Sequence, residues 1–375
     1  MRLSLTSSQE QRDLPAPESD EVQVSIASTG LCGSDLHYYS HFRNGDILVR
    51  EPLSLGHESS GVVTAVGSSV STLQTGDHVA LEVGVPCGSC SRCDEGRYNI
   101  CKALRFRSSG KSFPHFQGTL QERINHPAAW CHKLPSSISL DLGALLEPLG
   151  VALHAFRRSS AFRRSNMPTT SATVLVFGAG AVGLLCAAVA TLKGAKQIII
   201  ADIDAGRLSF AVDHHFAHAS YTVPMRRGKD IDEQLVIAKE TAAAVGAVDS
   251  VGEVDVVFEC TGVPSCVQAG IYATKAGGRL MLVGMGHPIQ TIPLGAAALR
   301  EVDIVGVFRY ANTYPESIEL VEQAIKTPGS PELDKLVTHR YVGLGEASKA
   351  FEMAGKTKDE NGKLVIKVVI DSSAQ

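Results

Sequence analysis

A glycine-rich turn between an apolar strand and an apolar helix constrains the fold of this chain more than any other feature. Gly178, Gly180 and Gly183 form G-x-G-x-x-G directly after TVLVF and at the start of AVGLLCAAVATL. In such a unit one glycine makes the tight turn, one lets the backbone approach a pyrophosphate, and one lets the helix pack against the strand. The next apolar run ends at Asp202, about 20 residues further on, where an acidic side chain binds the adenosine ribose. The sequence therefore predicts a dinucleotide site.

Short β-branched runs alternate with helix-like segments around this turn. The runs are TVLVFGAG (173–180), KQIIIADID (196–204), DVVFECTG (255–262) and GRLMLVGMG (278–286). Buried strands that alternate with helices are typical of a parallel, doubly wound sheet. We therefore expect an α/β fold with a Rossmann domain. The polar, Ala-rich segment 224–252 is interpreted as a helix with a mobile loop.

The first third of the chain has a different sequence pattern. EVQVSIAS (21–28), SGVVTAVG (60–67) and DHVALEV (77–83) are short strand-like runs between turn signals, which is typical of an irregular β-barrel. After residue 303 the pattern is again mixed, and it closes with KLVIKVVI (363–370). A chain of 375 residues is too long for one ordinary core, so we expect two domains.

Charge and cysteine usage restrict the possible partners. The net charge is −4, so no electrostatic feature favours nucleic acid or an anionic membrane. We find no signal-peptide pattern and no apolar run of the roughly 20 residues that span a bilayer, and we expect a cytoplasmic protein. In such a protein the nine cysteines stay reduced, and metal binding is their leading use. Four of them lie in apolar surroundings and are interpreted as small buried hydrophobes: Cys131, Cys186, Cys260 and Cys266.

The acidic residue after the second strand also favours one cofactor. A carboxylate at Asp202 accepts hydrogen bonds from ribose hydroxyls and repels the 2′-phosphate of NADP, and Asp204 adds a second negative charge. Arg207 is the counter-argument, because it could reach a phosphate, although an arginine also stacks on adenine. NAD is therefore the predicted cofactor.

Four cysteines crowd into one short stretch with the spacing C-x2-C-x2-C-x7-C, namely Cys87, Cys90, Cys93 and Cys101. Four thiolates around one tetrahedral ion leave no open position, so such a zinc site is structural. The rival is an iron–sulfur cluster, whose bacterial motif has a three-residue final gap followed by proline. Neither feature is present here.

A second set of potential metal ligands is scattered along the chain. Cys32, His57, Glu58 and Glu147 lie in the turn-like contexts GLCGSD, LGHESSG and LLEPLG. Taken singly, each of them has an ordinary explanation as a surface or core residue.

The sequence resembles the zinc-containing medium-chain alcohol dehydrogenases, and within them the sorbitol, xylitol and arabinitol dehydrogenase branch. The resemblance covers nearly the whole chain. Its most specific pieces are GLCGSDLHYY (30–39), LGHESSGVV (55–63), the tetracysteine stretch, ALLEPLGVALHA (144–155), FGAGAVG (177–183), QAGIYATKAGGRLMLVGMG (268–286), REVDIVGVFRY (300–310) and LVTHR (336–340).

The resemblance implies an architecture and a function. We expect a GroES-like catalytic domain over 1–153, a Rossmann domain over 154–304 and a return to the catalytic domain over 305–375. The resemblance also implies two zinc ions per chain, NAD as cofactor, a polyol or ketose as substrate, and a homotetramer. The implied reaction is NAD-linked oxidation of a secondary hydroxyl of a polyol to the ketose.

Individual roles are carried over from the same motifs. Cys32, His57 and Glu58 become ligands of the catalytic zinc, and Glu147 a direct or water-mediated fourth. Ser34 and His37 become candidates for the proton path. The polyol would be lined by Tyr38, Glu147, Arg309 and Tyr310. The residues implied to contact NAD are Gly178, Gly180, Val182, Gly183, Asp202, Arg207, Val283, Gly284, Met285, Val307, Phe308 and Arg309.

Several departures from the family pattern are informative. In ethanol-type enzymes a cysteine stands at the position of Glu147 and a basic residue often follows the first zinc cysteine, where this chain has Gly33. Both differences favour polyols over simple alcohols. Unlike vertebrate sorbitol dehydrogenases, the chain retains all four structural cysteines. Its first barrel strand looks short, and it carries the insert AFRRSNMPTTS (161–171).

Two other functions stay open at this point. One is a different zinc member of the family that acts on threonine or a simple alcohol, against which VFRY (307–310) and Glu147 argue. The other is a non-catalytic NAD-binding protein, against which the intact set of ligand residues argues.

Overall fold

The computed structural model describes residues 8–159 and 172–373, so the predicted insert at 161–171 lies outside the described residues. The chain divides into two compact units, and each unit is built from separate pieces of sequence. The first unit comprises Met1–Glu147, Tyr314–Ile318 and Asp334–Gln375, and the second comprises Pro148–Thr313 and Glu319–Leu333.

A seven-stranded sheet forms the centre of the first unit, in the order β16-β17-β1-β4-β5-β9, with β8 also paired to β1. All pairs are antiparallel except β16 with β17. The strands of this unit are β1 Glu21–Gly30, β2 Arg43–Asn44, β3 Ile47–Leu48, β4 Glu58–Val66, β5 His78–Leu81, β6 Gly84–Val85, β7 Arg105–Phe106, β8 Arg123–Pro127, β9 Cys131–Lys133, β16 Val337–Val342 and β17 Lys367–Asp371. Its helices are α1 Gly33–His41, α2 Ser91–Asp94, α3 Leu140–Ala144 and α11 Ala347–Ala354.

Strand β1 contributes alternate apolar side chains to one buried face of this sheet. Val22, Val24 and Ile26 alternate along it and are fully buried, while the intervening side chains are less buried. They pack with Val63, Leu81 and other apolar residues of neighbouring strands into one core. The three strands predicted in the first third of the sequence are confirmed, whereas only the second half of the predicted run 363–370 is a strand. Among the described residues, 8–20 contribute no strand before β1.

The second unit holds a six-stranded parallel sheet in the order β12-β11-β10-β13-β14-β15. This is the strand order 3-2-1-4-5-6 of a doubly wound dinucleotide fold. The strands are β10 Thr173–Phe177, β11 Gln197–Asp202, β12 Ala219–Thr222, β13 Val254–Glu259, β14 Thr274–Leu282 and β15 Asp303–Gly306. The helices are α5 Ala181–Leu192, α6 Ala205–Asp213, α7 Ile231–Ala247, α8 Pro264–Ala273 and α9 Leu294–Ala298, while α4 Leu146–Ser159 and α10 Tyr314–Lys326 each run across the division of the units.

The predicted α/β fold with a Rossmann sheet is confirmed. The four predicted strands correspond to β10, β11, β13 and β14, and the helix expected within 224–252 is α7. Strands β12 and β15 were not predicted, because ASYT carries polar residues and DIVG is only four residues long. Of the described helices, none is both long and apolar enough to cross a membrane.

The limits of the compact units differ somewhat from the domain limits drawn on the sequence. The first division falls between Glu147 and Pro148, inside the continuous helix α4, and the second unit extends to Thr313. Because α4 continues through the limit between the two units, the sequence pattern shows no break at that position. The limits 153/154 and 304/305 stay a prediction.

Candidate active site and cofactor sites

The four clustered cysteines fold around a space that fits one metal ion. Their sulfur–sulfur distances are 3.9 Å for Cys87 and Cys93, 3.6 Å for Cys90 and Cys93, and 3.5 Å for Cys101 and Cys87. Four sulfurs held tetrahedrally at about 2.3 Å from zinc lie about 3.8 Å from one another, so the observed geometry suits zinc. Hydrogen bonds from Ser89 and from Cys101 lower the pKa of the Cys87 thiol to about 6. The lowered pKa favours the thiolate that a metal needs at Cys87, whereas burial and the hydrogen bond with Cys90 raise the pKa of Cys93 to about 11.

Buried polar groups tie this cysteine loop to the barrel. Tyr98, which lies between the third and fourth cysteines, donates a 2.5 Å hydrogen bond to the carboxylate of Glu82. Glu82 is 2% exposed and also lies 2.8 Å from Nε2 of His132. Glu82 and His132 were not predicted, because Glu82 directly follows β5 and His132 lies on β9, 50 residues further along the chain.

Three of the four scattered ligands come together in the first unit. One ligand atom from each of Cys32, His57 and Glu58 lies within 4.8 Å of the other two. Cys32 precedes α1, and Glu58 opens β4, where it pairs with Gly30 of β1. A thiolate, an imidazole and a carboxylate are a ligand set that zinc accepts, and three protein ligands leave one position open. Glu147 is 5% exposed and does not join this group.

Asp35 orients the imidazole of His57. Its carboxylate is fully buried and lies 3.1 and 3.2 Å from Nδ1 of His57, and it accepts hydrogen bonds from Gly56 N and Ser108 Oγ. Burial lowers the pKa of His57, but Asp35 and Cys32 raise it, and the resulting pKa lies well above the ordinary value. Because Nδ1 faces Asp35, Nε2 is the nitrogen left for a metal.

Lys367 plays a corresponding part for Glu58. Its ammonium donates to both carboxylate oxygens, at 2.6 and 2.8 Å, and to the carbonyl of Leu31 at 3.2 Å. Lysine and glutamate are 5% and 1% exposed at these positions. Burial lowers the pKa of Lys367, while Glu58, Cys32 and, more weakly, Glu147 raise it, with a net increase. Glu58, one of the three ligands of the group, is therefore held in a buried ion pair with Lys367.

Helix α1 carries the residues predicted for the proton path and one for the substrate. Ser34 is half-buried and His37 is exposed, and the two stand three residues apart on the helix. Tyr38 is 4% exposed, and its hydroxyl accepts a hydrogen bond from Gly110 N at 3.2 Å. Tyr38 therefore has a structural role in the packing of α1.

The glycine turn in the second unit has the shape that a dinucleotide requires. Gly178 adopts φ +96°, and a Cβ at Gly183 would overlap the carbonyl of Gly178. Asp202 ends β11, and its carboxylate accepts hydrogen bonds from Ala179 N at 2.6 Å and Asp204 N at 2.9 Å. Asp204 itself accepts a hydrogen bond from Arg207 N as the N-cap of α6, so helix capping explains its carboxylate.

The other predicted cofactor and substrate residues of this unit follow the ends of neighbouring strands. Val283, Gly284 and Met285 follow β14, and Val307 to Tyr310 follow β15. Arg309 adopts φ +51°, and its guanidinium lies 4.8 Å from the centroid of the Phe308 ring. Tyr310 is 3% exposed. In a parallel sheet, ligands bind at this carboxyl edge of the strands.

Besides Glu82 and His132, three further residues at these sites were not predicted from the sequence. Asp35 and Lys367 contact predicted ligands, and Ile203, directly after Asp202, is 58% exposed. An exposed isoleucine at the end of a Rossmann strand offers an apolar surface for adenine. The signal for Lys367 was a lysine inside the apolar run KLVIKVVI, since a buried lysine almost always has a partner.

Known proteins resemble the chain over almost all of its length. Residues 18–136 match the alcohol dehydrogenase GroES-like domain, and residues 181–323 match the zinc-binding dehydrogenase domain. Sorbitol dehydrogenase of Gallus gallus is 37% identical over 96% of this chain and 92% of its own length. L-idonate 5-dehydrogenase of Vitis vinifera is 36% identical over 92% of this chain and 87% of its own length.

A solved structure agrees in fold. A zinc-binding dehydrogenase from Sinorhizobium meliloti, bound to NADP, superposes with a TM-score of 0.78 at 27% identity and covers 96% of this chain and 94% of its own. Both domain matches and the identities of the relatives confirm the resemblance drawn from the motifs. The chain belongs to the zinc-containing medium-chain dehydrogenases, in their polyol dehydrogenase branch, and is an oxidoreductase that uses zinc and NAD(H).

Proposed function

We propose that this chain oxidises a secondary hydroxyl of a sorbitol-, xylitol- or arabinitol-type polyol to the ketose, with NAD as hydride acceptor. The observation that carries the proposal is the grouping of Cys32, His57 and Glu58, whose ligand atoms all lie within 4.8 Å of one another. Three protein ligands leave a tetrahedral zinc ion one open position. The polyol dehydrogenases named above support the substrate class.

The residues around the ligand group have two kinds of role in the reaction, which are to orient the zinc ligands and to transfer the proton. Zinc, when bound, supplies Lewis acidity that makes a hydroxyl more acidic. Asp35 holds Nδ1 of His57 and so leaves Nε2 for the metal, and Lys367 holds the carboxylate of Glu58. Ser34 Oγ accepts the hydroxyl proton and passes it towards His37, whose exposed ring delivers it to water.

Specificity for a polyol requires polar groups that several hydroxyls can satisfy. From the resemblance, we assign these donors and acceptors to Tyr38, Glu147, Arg309 and Tyr310. A buried polar group that loses its partner costs free energy, so such a pocket rejects an alcohol without the extra hydroxyls. The left-handed conformation of Arg309 is uncommon for a residue with a side chain, and such conformations cluster at functional sites.

The preference for NAD over NADP is inferred from Asp202, the last residue of β11. Asp202 accepts a hydrogen bond through each carboxylate oxygen and retains lone pairs for ribose hydroxyls, and its charge opposes a 2′-phosphate. Because the Sinorhizobium meliloti relative is bound to NADP, both cofactors belong in the test.

A spectrophotometric panel tests the proposal directly. Purified zinc-loaded protein is given pentitols, hexitols, threonine and isopropanol with NAD or NADP, and NADH or NADPH absorbance is followed. We expect turnover with at least one polyol and NAD, and far lower kcat/KM with isopropanol. Threonine as the best substrate would favour the other branch of the family. Binding of NADH without turnover of any substrate would favour a non-catalytic role.

We further propose that the enzyme is a cytoplasmic homotetramer. All nine cysteines lie in the described ranges and none of them is in a disulfide, as expected in a reducing compartment. Strand β15 ends its sheet, and the preceding segment exposes Ile289, Leu294 and Leu299, which suits contact between subunits. Light scattering after size exclusion measures the state, and a Leu299→Lys variant should shift it to smaller species.

A further inference from the structure

Glu259 is a buried carboxylate with no part in the chemistry described above. It is the last residue of β13, the strand next to β10 in the middle of the parallel sheet, and it is 1% exposed. A carboxylate buried this deeply needs several hydrogen-bond donors to stabilise it.

All of these donors come from one turn. Thr261 N donates to Oε1 at 2.8 Å, and Thr261 Oγ1 donates to the same oxygen. Gly262 N lies 3.1 Å from Oε1 and 3.0 Å from Oε2. The side chain of Glu259 therefore fixes the path of the backbone immediately after β13.

The main chain of Glu259 fixes a second turn. Its carbonyl oxygen accepts hydrogen bonds from Val283 N at 2.9 Å and Gly284 N at 2.8 Å. Val283 and Gly284 are predicted cofactor residues after β14. One residue thus connects the turns that follow two adjacent strands.

These turns pack against each other and against the first glycine turn without free space. A Cβ at Gly284 would overlap Gly262 N, and a Cβ at Gly178 would lie 2.9 Å from the methyl group of Thr261. A shift of the 261–262 backbone therefore moves the surfaces of both Gly178 and Gly284, where the dinucleotide is expected.

We propose that Glu259 is a positioning residue for the dinucleotide, which sets the relative placement of the turns after β10, β13 and β14. The inference rests on the proposed NAD site. It assigns Glu259 no contact with the cofactor and no influence on the zinc ligands, which lie in the other unit.

The test compares two carboxylates of one strand. Glu259→Gln keeps the size of the side chain but turns an NH2 group towards backbone N–H donors. Asp255→Asn is the matched control, because Asp255 accepts hydrogen bonds from Thr173 N and Oγ1 and from Lys275. Asp255 lies four residues earlier, so about 13 Å of strand separates it from the glycine turns.

The measured quantities are the Kd of NADH, from its fluorescence on titration with full-length zinc-loaded protein, and the melting temperature. We expect Glu259→Gln to weaken NADH binding by about tenfold, since it leaves buried donors unpaired. Asp255→Asn should lower the melting temperature and leave the Kd unchanged. At saturating NADH, the KM for the ketose should be unchanged in both variants.

A second variant covers the case in which Glu259→Gln does not fold. Thr261→Val removes one donor to Glu259 but keeps the methyl group that faces Gly178, and it should weaken NADH binding by about threefold. Unchanged NADH affinity in the folded variants, or equal weakening by Asp255→Asn, would overturn the inference while wild-type binding keeps the proposed NAD site. Absence of saturable NADH binding to wild type would overturn both.

Discussion

Replacing Lys367 by methionine tests the electrostatic arrangement of the catalytic ligand group. The substitution keeps an unbranched side chain, which is one atom shorter than that of lysine, and removes the charge that lies 2.6 Å from Glu58. Both residues are almost fully buried, so solvent screens little of the interaction. Removing one partner of a buried ion pair costs about 3–5 kcal/mol, because the other charge is left uncompensated.

The expected loss appears as a lower melting temperature. For a folding unit of about 200 residues, 1 kcal/mol shifts the midpoint by about 2–4 °C, so Lys367→Met should lower it by roughly 6–20 °C in protein stripped of the catalytic zinc. Zinc bound beside Glu58 supplies a compensating positive charge. The loss should therefore be smaller in zinc-loaded protein, and the variant should bind that zinc more tightly.

Lys349→Met is the matched control. Lys349 pairs with Glu346 three residues earlier on the surface, where the lysine side chain is 69% exposed. Exposed pairs contribute about 0.2–1 kcal/mol, so this variant should melt close to wild type with or without zinc. Scanning calorimetry of both variants, with and without brief chelation, gives the comparison. Equal shifts in the two variants, or a Lys367→Met shift that ignores zinc, would refute the reasoning.

Four further outcomes are expected. Brief chelation should remove the zinc of the three-ligand group first, together with activity, and leave the tetracysteine zinc; metal analysis that finds one zinc in fully active enzyme contradicts this. Asp202→Ser should lower kcat/KM for NAD by about tenfold or more and shift preference towards NADP, because a charged acceptor worth about 1.5–3 kcal/mol is lost. Arg309→Leu should reduce kcat/KM for the polyol and leave isopropanol nearly unchanged; equal losses with a lower melting temperature would assign Arg309 a structural role. Burial raises the pKa of Asp255, but hydrogen bonds from Thr173 and Lys275 lower it by more, so this pKa lies below the ordinary value of 3.8. The stabilisation from the carboxylate is therefore fully present above pH 3.8 and disappears as the pH falls through the pKa of the folded protein. The melting temperatures of wild type and Asp255→Asn should converge in acid.

Features that lie close together in sequence were predictable. The glycine turn, its strand and its helix are contiguous, so Gly178, Gly183 and the helix start could be placed from the pattern alone. The four structural cysteines occupy one short segment, and their spacing limits the ways in which they can surround a metal. Asp202 could be placed because the period of a βαβ unit is nearly fixed.

Contacts between distant segments were not predictable. Glu58 and Lys367 meet only because β17 pairs with β1, and β1 with β4. Likewise Asp35 reaches His57 only once α1 packs beside the start of β4. A single sequence indicates which side chains could ionise, but the sheet order decides which of them become neighbours.

The sheet of the first unit has a consequence for synthesis of the protein. Gly30 pairs with Val369, so β1 must wait on the ribosome for a strand that is made only after the whole parallel sheet. The parallel sheet lies wholly between these strands in the chain and can fold as it emerges, whereas the edge of β1 that β17 covers stays open until then. A nascent chain stalled before residue 367 should therefore bind chaperones through β1, although its Rossmann unit is already folded.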